Sequence, residues 1–266
     1  MASLLNLPFD TLAEITAHLT SSDLGNLLIS HPSFFMVREE AIFWRHTILK
    51  PRNGKDFSRM MKFISHSGKV DFSAFLGHQL EFDCLRNLKF LDISDSANIF
   101  TETSFTSILS NNPQLKYLNV SRCSWVSDFT INSLVKMVER LDFLDISMTN
   151  VTDYSLELLK KQPLKYLGLS SCPNLTKDRT LKCLSEWKYL REIDFSYTYF
   201  VTMDFLSKLK AALSTLSRVN CRYCEDITKC DVRCLKEIGL KVESNAILES
   251  YNEQDIRNFL LKFIVQ

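Results

Sequence analysis

From Leu88 onward the apolar residues follow one phrase: a leucine, two positions, a second apolar residue, one position, a third. Leu88, Leu91 and Ile93 give the first clear copy, and Leu115, Leu118 and Val120 the second. Leu141, Leu144 and Ile146 follow, then Leu164, Leu167 and Leu169, then Leu190, Ile193 and Phe195, and last Leu216, Val219 and Cys221. Successive copies begin 27, 26, 23, 26 and 26 residues apart. The last two apolar positions alternate as a strand does. Eight residues after the first leucine stands a small residue: Ser96, Cys123, Thr149, Cys172, Thr198 or Cys224. Shortly after it comes an apolar one: Ile99, Val126, Val151, Leu175, Val201 or Ile227. The period then becomes helical, as in Ile131, Leu134, Val135 and Val138, or Phe205, Leu206, Leu209 and Leu213. Ser127-Asp128 and Thr152-Asp153 stand where helices of this register begin, with side chains suited to capping them. Each copy predicts a strand, a turn and a helix.

One such unit cannot bury its own apolar side, so the copies predict a stacked array with the strand leucines pointing inward. At about 4.8 Å per strand, six copies make an array roughly 25 Å deep. Val70 with Phe72, and Leu240 with Val242, read as degenerate opening and closing strands. Ile256, Phe259, Leu260 and Phe263 have the spacing of a capping helix over 252–266. The phrase resembles the leucine-rich repeat. Cys123 through Asp128 and Cys224 through Thr228 resemble its cysteine-containing class, whose members mostly bind proteins inside the cell. The resemblance implies an α/β fold: a short right-handed solenoid over residues 70–251, with parallel strands inside and helices outside.

Residues 1–50 carry a different pattern. Pro8 suits a first helical position, because its missing N–H is not needed there. Leu12, Ile15 and Leu19 then share one face. Ser21, Ser22 and Asp23 supply caps for a second helix with Leu24, Leu27 and Leu28. Pro32 can open a third, carrying Phe34, Phe35, Val37, Ile42, Phe43 and Trp44. So small a three-helix head cannot hide all of this, which predicts a patch that a partner covers. Taken in order, Leu7-Pro8, the first helix, Asp23-Leu24, Leu27-Leu28, Ile29-Ser30-His31 and Trp44-Arg45 resemble the F-box over residues 5–48. Ser30 and Pro32 depart from its commonest pattern.

The two resemblances together imply an F-box/leucine-rich-repeat protein, the substrate-recognition subunit of a Skp–cullin–F-box ubiquitin ligase. In that family the F-box binds a Skp-type adaptor and, through it, a cullin scaffold, while the repeats hold a protein client. Carried over by position, Leu7, Pro8, Leu12, Ile15, Leu24, Leu27 and Trp44 are adaptor-binding candidates. Some of them, Trp44 above all, fit the head's own core equally well. Residues 51–69 read as a linking helix. Its Arg52, Lys55, Arg59, Lys62 and Lys69, set against Asp56, form either a solvated face or a basic docking patch.

Composition narrows the choice. The formal charge of +1 on 266 residues argues against a nucleic-acid binder. The apolar runs are broken too early for a membrane span. Eight cysteines without a basic, signal-like leader point to a reducing compartment, cytoplasmic or nuclear. Cys221 and Cys224, with Cys230 and Cys234 beyond, have a zinc-like spacing. The register instead places Cys221 with the inward Ile93 and Val120, and Cys224 with the small-residue column. No metal or cofactor is therefore expected, since buried free cysteine behaves as a small hydrophobe. The five histidines all precede the array and none has a catalytic spacing to serine or cysteine, so no enzyme is expected.

Residues flanking the inward leucines point to the concave face. One column reads Phe90, Tyr117, Phe143, Tyr166, Glu192, Arg218; the next Asp92, Asn119, Asp145, Gly168, Asp194, Asn220; the third Ser94, Ser121, Ser147, Ser170, Ser196, Arg222. The acid and serine columns can be explained by local hydrogen bonds. Four aromatics in line predict an apolar strip for a client, with Glu192 beside it and Arg218 and Arg222 reading an acidic feature. A tail or terminal loop is the competing cover. Two uses stand: a ligase recognition subunit, or a non-degradative binding or assembly subunit that uses the adaptor structurally.

Overall fold

The middle apolar residue of each copy lies on one line. Leu91, Leu118, Leu144, Leu167, Ile193 and Val219 are Cα partners across successive parallel pairings, so the spacing in the sequence is the register of the sheet. The computed structural model describes residues 7–30, 44, 46–77, 82 and 84–245. The six copies form β2 (Phe90–Asp92), β3 (Tyr117–Asn119), β4 (Phe143–Asp145), β5 (Tyr166–Gly168), β6 (Glu192–Asp194) and β7 (Arg218–Asn220). The degenerate phrases supply β1 (Lys69–Asp71) and β8 (Lys241–Glu243), which pair Val70 with Leu91 and Val242 with Val219. One eight-stranded parallel sheet results, ordered β1 to β8 as in the chain. The predicted α/β solenoid is the fold. A further rung escaped the sequence reading. Leu49 bridges Val70, with its N–H on Lys69 O and its carbonyl accepting from Asp71 N–H, both at 2.9 Å.

Among the described residues the head contributes α1 (Phe9–Thr16) and α2 (Ser21–Ser30), and α3 (Gly54–Ser67) leads into β1. The repeats contribute α4 (Glu102–Asn111), α5 (Asp128–Met137), α6 (Asp153–Leu159), α7 (Lys177–Leu184), α8 (Met203–Ala212) and α9 (Lys229–Glu237). None of these helices is long and apolar enough to cross a membrane. The third head helix expected after Pro32 falls outside the described residues apart from Trp44, and so does the capping helix expected over 252–266.

Ser127 and Thr152 are the N-caps of α5 and α6. The acid in one helix's first turn also caps the next helix. Asp128 accepts from Thr152 N–H at 2.9 Å and Thr152 Oγ1 at 2.7 Å, and from Ser155 Oγ. Asp153 repeats this with Thr176 N–H at 3.2 Å, Thr176 Oγ1 at 2.7 Å and Thr180 Oγ1 at 3.0 Å. Burial pushes the Asp128 carboxyl up, but the bonds from Ser155 and Thr152 more than reverse it and hold it below its ordinary value.

The small-residue column has its own purpose. The carbonyl after the strand already accepts from its own turn, as Ile93 O does from Ser96 N–H at 3.3 Å and Phe195 O from Thr198 N–H at 3.1 Å, and its second lone pair is open to the next repeat. Cys123 Sγ donates to Ile93 O at 3.2 Å, Cys172 Sγ to Ile146 O at 3.3 Å and Cys224 Sγ to Phe195 O at 3.2 Å, each time into the preceding repeat. Ser96 Oγ does the same to Phe72 O at 3.1 Å. Under the other rim, buried Asn112 and Gln162 satisfy loop backbone. Asn112 Oδ1 accepts from Leu88 N–H at 2.7 Å, and Gln162 Oε1 from Leu141 N–H at 2.9 Å. One continuous core runs from Leu12, Leu24 and Trp44 in the head to Val242 in the last strand.

Candidate interaction surfaces

The head sorts its seven candidates into two groups. Leu12, Leu24 and Trp44 are buried. Trp44 stacks on Phe63 of α3 with centroids 4.1 Å apart and planes 14° apart. These three are core, which corrects their reading as adaptor contacts: the small head spends them fastening itself to α3 and the array. Leu7 and Leu27 are half-buried, Pro8 is exposed as the N-cap of α1, and Ile15 is 44% exposed. That second group is what a partner can reach.

The concave aromatic column is real, but it does not lie open. Phe90, Tyr117, Phe143 and Tyr166 stack in sequence, with centroids 3.9, 4.0 and 4.1 Å apart and planes within 14°. Parallel register forces this, because rungs of about 4.8 Å bring flat side chains face to face. Phe90, Tyr117 and Phe143 keep only 5%, 4% and 3% of their surface, and Ile48 packs against them. The expected strip of four open rings is therefore corrected to one half-buried ring, Tyr166, beside three withdrawn ones. Burial likewise drives the Tyr117 and Tyr166 hydroxyls well above their usual range, keeping both neutral. The two arginines are also engaged. Arg218 lies 3.2 Å from Glu192, and Arg222 lies 3.7 Å from Glu243. They offset glutamates on adjacent strands rather than standing ready for an acidic client.

The acid column closes turns. Oδ1 of Asp71, Asp92, Asp145 and Asp194 accepts from the N–H two residues on, at 2.9, 3.0, 2.9 and 2.7 Å, and Asn119 does the same for Ser121 at 3.0 Å. Asn119 Nδ2 donates across to Asp92 at 3.1 Å, and Asn220 Nδ2 to Asp194 at 2.9 Å. On the strand that follows, Asp145 meets Gly168 where Asp92 and Asp194 meet asparagines. A Cβ at Gly168 would stand 2.3 Å from Asp145 Oδ1, so the carboxylate fills the space a side chain would need. Burial, then the charge of Asp71, raises Asp92 to about 6; burial raises Asp145 as well. Cys221 is fully buried and Cys224 nearly so, with burial pushing the Cys221 thiol up to about 12. Neither is a ready thiolate ligand.

One exposed feature escaped the sequence reading. The turn after each repeat strand holds a residue at positive φ: Asp95, Arg122, Met148, Ser171, Tyr197 and Tyr223, at 50–60°. This conformation favours Gly, Asn and Asp, yet tyrosine occupies it twice in succession. Tyr197 and Tyr223 stack at 4.4 Å and remain 58% and 55% exposed, with Tyr199 beside them at 74%. The signal was available as one more column, seven residues after the first leucine of each copy.

No family model matches the chain, and no curated protein sequence does either. Among solved structures it is similar to the crystal structure of a Rad7 and Elc1 complex in yeast, with a TM-score of 0.55 and 13% sequence identity. That match covers 77% of this chain and 57% of the other, so this chain spans little more than half the length of its neighbour. A TLR13–ssRNA13 complex matches at a TM-score of 0.38 and 16% identity, over 66% of this chain and 35% of the other, which is too loose to carry an argument. At these identities the likeness to the Rad7 structure is one of fold, and the fold it shares is the α/β repeat solenoid.

Proposed function

We infer that this chain is a non-catalytic receptor subunit, acting in the cytoplasm or nucleus. Its head takes a Skp-type adaptor linked to a cullin, and its array takes a protein client for ubiquitin transfer. The observation that carries the reading is the head itself. Pro8 and Ile15 lie open at α1 while Leu12 on the same helix and Leu24 on α2 are spent on the core. A short amphipathic head that leaves its first helix accessible is suited to docking, and the array behind it is suited to holding. The neighbour of like fold was solved in complex with a second protein, which supports a scaffold used for protein partners.

Affinity purification of the full chain tests this. The expected result is co-purification of a Skp-type adaptor and a cullin. A Pro8→Ala, Ile15→Asp double variant should lose the adaptor while keeping its thermal transition, because both side chains are accessible. Failure of the wild-type chain to capture an adaptor, or full capture by the double variant, overturns the reading. Adaptor without cullin would favour the structural-assembly role.

A further inference from the structure

The rim where the strands begin carries a row of cations of which, among the described residues, Lys165 alone is ion-paired, to Asp142. Lys89, Lys116, Lys165 and Arg191 each stand one residue before the registered positions Phe90, Tyr117, Tyr166 and Glu192. One backbone ladder joins them. Lys116 N–H donates to Lys89 O at 3.0 Å, Asp142 N–H to Lys116 O at 2.9 Å, Lys165 N–H to Asp142 O at 2.8 Å, and Arg191 N–H to Lys165 O at 2.9 Å. With rungs about 4.8 Å apart, the row from Lys89 to Arg191 spans about 19 Å. Its one acid, Asp142, is already offset by Lys165 at 3.5 Å and Arg140 at 3.7 Å. Lys89, Lys116 and Arg191 are exposed, as is neighbouring Lys188, and none of these four forms an ion pair among the described residues.

The outer helices end at this same rim, where Asn112 Nδ2 reaches both Ile108 O of α4 and Leu85 O, and their dipoles favour single cations there. A registered row is a different matter. Like charges on adjacent strands repel, so stability alone disfavours the row. The repulsion is felt nearby: burial, then the charge of Lys89, pushes the Lys69 ammonium down to about 8. Among the described residues no comparable row stands on the opposite rim, where Arg122 is paired with Asp95 at 3.6 Å and Arg222 with Glu243 at 3.7 Å.

The ligand must be anionic and elongated. A nucleic-acid strand would want aromatic faces beside the cations, and the large exposed aromatic on this rim is Tyr189 alone among the described residues. The net charge of +1 also lacks the broad positive field of nucleic-acid binders. An extended peptide, at about 3.4 Å per residue, covers 19 Å with about six residues and turns every second side chain toward the row. We propose that this rim docks an acidic, extended polypeptide segment through Lys89, Lys116, Lys165 and Arg191, with Lys188 beside them. The proposal rests on the array being a protein-binding surface and is independent of the head's adaptor role.

Fluorescence anisotropy on the full chain tests it, with a labelled oligoglutamate of about twelve residues as probe and an oligothymidylate of equal charge as competitor. The oligoglutamate should bind more tightly than the oligothymidylate. Lys89→Glu with Lys116→Glu, and separately Lys165→Glu with Arg191→Glu, should each weaken it about tenfold. Lys177→Glu with Lys229→Glu, away from this rim, should leave it within about twofold. Chemical denaturation checks that each variant is folded, and Lys89→Gln with Lys116→Gln repeats the test without added repulsion. No binding, equal binding by the rim variants, equal loss in the control pair, or tighter oligothymidylate binding overturns the proposal. Protein clients captured by the wild-type chain and kept by the Lys89→Glu, Lys116→Glu variant would sink the rim proposal alone. A wild-type chain that captures no protein through its array would sink the reading beneath it.

Discussion

Asp92 shows how one side chain can serve the fold at a cost that depends on pH. Its carboxylate closes the turn to Ser94 and receives Asn119, yet burial and Asp71 raise it from 3.8 to about 6. Between these values the folded chain keeps a proton that the unfolded chain has lost, so stability falls as pH rises from about 4 to about 6. Above that the penalty is fully present. Partial exposure of the side chain discounts it to about 2 kcal/mol. Urea titrations at about pH 4 and pH 7 should show wild type losing about that much relative to Asp92→Asn, which has no such titration. A difference independent of pH would remove the carboxylate as its cause. The acid column was legible in the sequence as a hydrogen-bonding pattern, but the raised value was not, because desolvation depends on what covers the face.

At the scale of elements, the repeats are joined by more than leucines. Asp153 in the first turn of α6 caps α7 through Thr176 and Thr180. Asp153→Ala leaves three donors without that acceptor and should cost about 1–3 kcal/mol. Hydrogen exchange should quicken first at the start of α7, with the amides of α4 unchanged. Equal acceleration along the whole chain would mean that the contact is not local. The sequence marked Thr152-Asp153 as a helix start, since a cap is a short-range pattern. It could not show that Asp153 serves the following repeat, a contact made 23 residues away across a stacking interface.

The whole molecule behaves as a one-dimensional stack, so position along it sets the effect of a mutation. Leu144 has strands on both sides, and Leu144→Ala should cost about 2–5 kcal/mol and lower the main unfolding transition. Val242 pairs with Val219 in the last described strand, and Val242→Ala should cost less and speed exchange in β8 while sparing β4. Similar loss from both would show that the array does not unfold by neighbours. The same stacking explains why the concave face differs from its sequence description. Registered aromatics stack on one another, Ile48 packs against them, and Phe90, Tyr117 and Phe143 sit at a few per cent exposure. Of the cations at strand starts, Lys165 pairs with Asp142, while Lys89, Lys116 and Arg191 form no ion pair among the described residues and stay exposed at the rim.

The sequence by itself determined the repeat, its register, the inward leucines and the burial of Cys221 and Cys224. Those follow from periodicity, which a chain of similar units repeats at every rung. It also marked the helices α1 and α2, from the order of their apolar residues. Tertiary structure alone decided which of these side chains a partner can touch. Leu12, Leu24 and Trp44 became core, Pro8 and Ile15 stayed open, most of the aromatic column was buried, and Tyr197 and Tyr223 stood out at the rim. The reason is physical: alternation fixes the face on which a residue lies, while exposure depends on everything packed against that face.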